Sequence, residues 1–348
     1  MQEMQVIDIF CHIFPAGFMQ ELKKRCPHLS FRQAGAGSAL NIFNDQSGYW
    51  VAYVIPDSAF DTPEKRIEDM DRYGVDIQVL SASLPGAEPS SLSATPEDLI
   101  KIARFVNDAI AGVVSRYPDR FLGVAEIPAT EEESALEEFD RAVNELGMKA
   151  VQLYTQMGGM PIDNERFYPL FERAVKYDLP ILLHPSNPPP AQSRSYEKDY
   201  SLMLLFGWPY ETTLALSRLV ISGVLEKFPR LKIVSHHMGG MIAYFGGRLQ
   251  IYENLAAVRG VKYPKPLLEY FKAFYADTVL GGHLPAAKCG YEVFGPDHIV
   301  FATDYPFGPE IGRAFIRQAI NTVRELNIPE EEQAKIFHKN ARELLNIH

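Results

Sequence analysis

The sequence predicts an α/β fold, a (β/α)8 TIM barrel, and three observations carry that prediction. Eight short apolar runs rich in Val and Ile recur along the 348 residues. They are nearly continuous in apolar character, as strands buried on both faces must be. Amphipathic segments of helical period separate them, which implies crossover connections and parallel strands. Eight parallel strands are the number that closes a barrel, and no glycine-rich phosphate turn follows the first run to favour an open doubly wound sheet. No repeat, low-complexity tract or linker divides the chain, so residues 1–348 read as a single domain.

Taken in order, the first run is QVIDIF, continuing into DIFCHIFP. There Asp8, Phe10 and His12 alternate, and a regular strand would point all three the same way. A long connection follows, from about Pro15 to about Asp61, and its GYWVAYVIP reads as an extra hairpin or lid. TPEKRIEDMDRYG has a Thr cap, Pro at the helix start, Glu in the first turn and Gly at the end, the signature of a complete helix. Strand runs DIQVLSAS, LGVAEIP, AVQLYTQ and PILLHPS then alternate with helical TPEDLIKIARFVNDAIAGVVSRYP, TEEESALEEFDRAVNELG and NERFYPLFERAVKYD. After the fifth strand comes a second long connection, SNPPPAQSRSYEKDYSLMLLFGWP, rich in Pro, Ser and Tyr. The last three runs are KIVSHHM, FYADTV and IVFATDYP. Both long connections leave from C-terminal strand ends, where the active sites of such barrels lie.

Composition removes several function classes. A formal net charge of -10 and the lack of a Lys/Arg cluster argue against nucleic acid as a partner. No apolar stretch has the length of a membrane span, and MQEMQVID lacks the basic start of an export signal, so a cytoplasmic protein without membrane contact is expected. Cys11, Cys26 and Cys289 form neither a disulfide framework nor a metal knuckle and read as reduced thiols.

Four of the nine histidines, His12, His184, His236 and His237, fall at or near strand C-termini, and Asp304 ends the last strand. A barrel brings these positions to one mouth. Histidines and a carboxylate from separate strands are the ligand types that hold Zn, Mn or Fe(II) with positions left open for water or substrate. Singly, each has a plainer reading as a hydrogen-bonded core histidine or a turn aspartate. Together they would be costly to bury without a task. His28, His283, His298, His338 and His348 lie in helices or connections and read as surface or structural.

The segments IDIFCHIFP, ILLHP, WPYETTLA, LKIVSHHMGG, ATDYPFG and KIFHKNARELL resemble the amidohydrolase superfamily over nearly the whole chain. The similarity is to the branch of aminocarboxymuconate semialdehyde decarboxylase and the metal-dependent decarboxylases of aromatic acids. It implies His12, His184 and Asp304 as metal ligands, with Asp304 also counted as catalytic, and His237 as the catalytic histidine. It further implies one divalent ion (zinc first, manganese second), a weak anion contact from Arg248 across a subunit interface, and a homodimer. In that branch the first strand carries His-x-His or Glu-x-His, both outer residues binding metal. Here the equivalent is Phe10-Cys11-His12, so one ligand is absent. His236, offset by one residue from His237, is expected to face the helix layer. Asp8 is expected on the His12 face, deeper in the barrel, and Glu211 reads as a helix-start residue.

The expected function is a metal-dependent lyase acting on a small carboxylic acid, a non-oxidative decarboxylase of a hydroxylated aromatic or unsaturated acid. Two alternatives stand beside it: a hydrolase or hydratase on a related acid, and a ligand-binding barrel silenced by Phe10.

Overall fold

The computed structural model describes residues 4–34, 38–128, 133–187 and 202–347. Eight parallel strands pair in chain order: β1 Ile7–Ile13, β2 Ile77–Ala82, β3 Phe121–Glu126, β4 Ala150–Tyr154, β5 Ile181–His184, β6 Ile233–Ser235, β7 Tyr275–Asp277 and β8 Ile299–Val300. The circle is joined between first and last segments by backbone bonds: Ile9 N donates to Phe301 O, Asp304 N to Phe10 O and His12 N to Tyr305 O, at 3.0, 3.1 and 2.7 Å. The predicted barrel is therefore the observed one, with all eight strand runs in place.

Helices α1 Pro63–Tyr73, α2 Pro96–Arg116, α3 Glu133–Asn144, α4 Tyr168–Lys176, α5 Trp208–Ile221, α6 Gly246–Val258, α7 Leu284–Phe294 and α8 Arg313–Glu325 alternate with the strands. Their starts follow the sequence signals. Thr95 Oγ1 caps α2 by accepting from Asp98 N, Pro63 opens α1, and Gly74 closes α1 at φ 75°. Among the described residues no helix is long and apolar enough to cross a membrane.

Two apolar layers hold the barrel. Outward-facing Leu80, Val151, Leu183 and Phe301 pack with helix residues such as Val106 and Ile316. Inside, Ile9, Val79, Val124, Leu182, Val234 and Val300 form a second core. Leu344 and Leu345 near the chain end join this core together with the first strand residues Ile77 and Tyr275, which puts an apolar plug at the N-terminal end.

The inner core also explains the layer above it. Side chains two residues apart share a strand face, so Val79 is followed by Ser81, Val124 by Glu126, Ala150 by Gln152, Leu182 by His184 and Val234 by His236. An apolar floor thus carries a ring of polar groups at the C-terminal mouth. β1 departs from this pleat. Its pairing with β2 shifts register between Asp8 and Cys11, so Ile9 and Phe10 both join the inner core while Cys11 and Ile13 join the outer one. Asp8 therefore does not share the face of His12, contrary to the alternation read from the sequence. Its carboxylate accepts from Gln78 Nε2 at 3.2 Å, Thr303 N at 3.1 Å and Thr303 Oγ1 at 2.6 Å, pinning β1 to its two neighbours.

The connection after β1 contains a helix, Phe18–Arg25, and an antiparallel sheet of Leu29–Gln33, Leu40–Asn44 and Tyr49–Val54, so GYWVAYVIP supplies an edge of three strands. This sheet reaches the mouth, where Trp50 O accepts from Asn187 Nδ2 at 3.2 Å and the Trp50 ring lies 6.3 Å from that of Trp208. Of the predicted loop after β5, residues 188–201 lie outside the described residues; the segment resumes through Met203–Gly207 into α5.

Candidate active site

His12 near the end of β1, His184 as the last residue of β5 and His236 just past β6 each offer a ring nitrogen, and the three atoms lie within 4.8 Å of one another. All three residues are buried. Asp304, one residue beyond the Thr303 hydroxyl that holds Asp8, turns back at φ 63° and places Oδ1 3.1 Å from His12 Nε2 and 3.5 Å from His236 Nε2.

The outer nitrogen of each imidazole has an oxygen to bond. His12 Nδ1 lies 3.0 Å from Ser81 Oγ, whose own proton goes to Cys11 O, and 3.3 Å from Ala82 O. His184 Nδ1 lies 2.7 Å from Pro185 O. His236 Nδ1 bonds Asp277 Oδ2, and Asp277 Oδ1 is itself fixed by Met238 N at 3.0 Å and Val279 N at 3.1 Å. Acceptors at all three Nδ1 positions set the protonated side of each ring. The Nε2 atoms then point into the cluster, and His12 Nε2 is buried 3.1 Å from Asp304 Oδ1 without a well-aligned hydrogen bond. This is the arrangement that orients histidines toward a metal.

The electrostatics agree. Burial opposes charge on Asp304, yet the imidazoles of His12 and His236 overcome it and hold the carboxyl far below its usual range. Burial also opposes charge on His236, but Asp277 and then Asp304 lift it to about 10. Burial, reinforced by His12 and His236, drives His184 well down, keeping it neutral. Two carboxylates facing buried imidazoles make a pocket of negative potential suited to a cation.

His237 follows at φ 56° and Met238 at φ 53°, a turn out of the strand that leaves the His237 ring 4.1 Å from that of His236. Its Nδ1 is buried without a partner. Burial, then the neighbouring His236, pushes it down to about 4. The two histidines thus both reach the mouth. The expectation that His236 faces the helix layer is corrected: Val234 sets the inner face of β6, and two residues on is His236.

Phe10 is buried among the same rings, stacked on His236 at 4.2 Å and 13° and lying 5.6 Å from His12 and 6.0 Å from His184. It faces the cluster from the side where the strand-one ligand is lacking. Glu211 sits in the first turn of α5, buried, and burial raises it to about 7. Arg248 is exposed on α6 and, among the described residues, has no ion pair in its own chain.

Sequence reasoning passed over two groups. Asp277, in FYADTV, is a strand-end carboxylate of the same kind as Asp304, and that position was the available signal. Glu126, in LGVAEIP, lines the opposite wall, accepting from Ala87 N at 2.6 Å, Tyr154 OH at 2.8 Å and Gln152 Nε2 at 2.9 Å.

A histidine cluster with a carboxylate stands at the mouth of the eight-stranded barrel, and the amidohydrolase family profile matches residues 7–347. The chain belongs to the amidohydrolase family. This amidohydrolase is 31% identical over 289 residues to 2-amino-3-carboxymuconate-6-semialdehyde decarboxylase of Dictyostelium discoideum, covering 82% of this chain and 77% of that protein. It is 30% identical to a γ-resorcylate decarboxylase of Rhizobium sp. strain MTP-10005, over 82% and 88% of the two chains. Among solved structures it is similar to 5-carboxyvanillate decarboxylase from Sphingomonas paucimobilis, with a TM-score of 0.82, 25% identity, and 99% and 100% of the two chains covered.

Proposed function

We propose that this amidohydrolase is a metal-dependent lyase that removes CO2, without oxidation, from a hydroxylated aromatic carboxylic acid. The observation that carries the reading is the convergence of buried Nε2 atoms and the Asp304 carboxylate beside a free histidine, in a chain whose relatives are decarboxylases. That intact constellation also argues against a silent barrel.

His12, His184 and Asp304 are the residues that hold a divalent ion, zinc or manganese. When bound, such an ion supplies a Lewis acid that orients and polarises the substrate's oxygens. The remaining work falls to the protein. Breaking the ring–carboxylate bond leaves its electron pair on the ring carbon, which takes a proton as CO2 departs. His237 is the proton donor. It is neutral in its own environment, and the carboxylate of an arriving substrate brings the negative charge that favours its imidazolium form. Asp304 stays ionised and keeps His12 and His236 in register. Trp50, Trp208 and Phe307 offer flat surfaces near the mouth for a planar ring.

The enzyme acts as a homodimer. Supporting this, Leu204, Leu205, Phe206, Tyr244, Ile251 and Leu255 are large apolar side chains exposed just before α5 and around α6, more than single scattered residues require. Arg248 shares α6 with them and reaches toward the partner's substrate as an anion contact.

A panel of hydroxybenzoic and unsaturated acids, followed for CO2 release and for solvent deuterium on the product carbon, tests the reading. Release with deuterium incorporation is expected. Water addition without CO2 would place the enzyme with the hydrolases or hydratases of its superfamily instead.

A further inference from the structure

We propose that His236 occupies the coordination position given up at Phe10, so that the site keeps three imidazole ligands by moving one from β1 to β6. This rests on the metal-dependent reading above and goes beyond it in the ligand set. Three observations carry it.

The first is geometric. His236 is the third member of the cluster whose ring nitrogens lie within 4.8 Å, and its Nε2 is 3.5 Å from the same Asp304 Oδ1 that lies 3.1 Å from His12 Nε2. A residue serving only the helix layer would not share that carboxylate. The second is the anchor. Of the three histidines, His236 alone ties its Nδ1 to a carboxylate, and that carboxylate is locked by two backbone N–H groups. A carboxylate behind a histidine fixes the ring and raises its basicity as a ligand. A proton shuttle needs a free nitrogen instead, and the neighbour, His237, has one. The third is the substitution itself. The Phe10 ring does not merely leave a gap; it stacks face to face on His236 at 4.2 Å and 13°. An imidazole that donates to a cation becomes electron-poor, and the negative face of a phenyl ring stabilises it there. Phe10 is thus the platform for the relocated ligand.

The roles of the adjacent histidines then separate: His236 binds the ion and His237 carries the proton.

The test measures metal, not turnover. In the zinc-loaded wild-type chain, X-ray absorption is expected to show outer-shell scattering from three imidazoles; two would overturn the proposal. Chelator competition with Zn2+ is expected to give His236→Phe and His236→Gln roughly 100-fold weaker binding or worse, and Asp277→Asn about 10-fold weaker. The double variant Phe10→His/His236→Phe, which returns the imidazole to β1, should regain most of the lost affinity. Circular dichroism confirms that each variant is folded. Wild-type affinity in both folded His236 variants overturns the relocation while leaving the metal enzyme intact. A wild-type chain that takes up no ion overturns the metal-dependent reading itself.

Discussion

Two walls of the barrel mouth use buried carboxylates in opposite ways. On the wall formed by β1, β5, β6, β7 and β8, Asp304 and Asp277 face imidazoles, and Asp304 is held ionised against the cost of its burial. On the wall formed by β2, β3 and β4, Glu126 accepts from the neutral donors Ala87 N, Tyr154 OH and Gln152 Nε2, and burial, with a smaller push from Glu88, raises it to about 7. A buried carboxyl is an anion on one side and keeps its proton up to about pH 7 on the other. The lesson is that the partner set, rather than burial, decides the charge, and that only the histidine wall is electrostatically prepared for a cation.

The largest expected effect comes from breaking the cation wall. His184→Ala removes one convergent nitrogen, and zinc affinity should fall by roughly 100-fold or more, with activity lost alongside. Metal analysis of the purified variant checks this, and a full complement of ion would show that His184 is not a ligand. Next is His237→Asn. If His237 acts on the proton and not on the ion, as proposed, the variant should lower kcat by about 10²–10⁴-fold while metal content stays at the wild-type level. Loss of metal in that variant would collapse the distinction between the two adjacent histidines.

Much of the histidine wall was legible in the sequence because barrel topology gathers strand ends, so HP, SHHM and ATDYP identified themselves by position alone. What was not legible depended on local phase. His236 was assigned outward by counting from His237, but the left-handed turn at His237 ends the pleat there, and Val234 gives the true phase. Asp8 was assigned to the His12 face because the register shift between Asp8 and Cys11 leaves no mark in the composition. In the connection after β1, the apolar GYWVAYVIP stood out. Its partners Leu29–Gln33 and Leu40–Asn44 are short and mixed in polarity, so the hairpin they form leaves no alternation in the sequence to mark it.

The neutral wall is tested by pH. A group whose pKa is raised on folding stabilises fully below its unfolded value and loses that contribution as pH rises through the folded one. For Glu126 the window runs from about 4.5 to about 7, and a shift of that size is worth about 3 kcal/mol at most. Glu126→Gln stays neutral throughout. Its Oε1 can still accept from Ala87 N and Tyr154 OH, and Gln152 Oε1, which lacks a partner, can turn to accept from the new amide. Denaturant unfolding should therefore show wild type losing stability relative to the variant across that window, with zinc affinity unchanged. A parallel pH dependence in the two proteins would mean that Glu126 is already ionised at pH 4.5.

The smallest effect sharpens the boundary between the walls. Tyr154 belongs to the neutral wall through its bond to Glu126, yet its ring lies 5.9 Å from that of His184 on the other. If the phenol serves Glu126, Tyr154→Phe costs about 1 kcal/mol and leaves metal binding alone. The hydroxyl hydrogen bond favours the carboxylate form, so its removal should raise the Glu126 pKa further. The pH at which wild-type-like stability fades then moves upward, which the same unfolding series would detect. Weakened zinc binding in this variant would instead tie Tyr154 to His184, and the two walls would be one network.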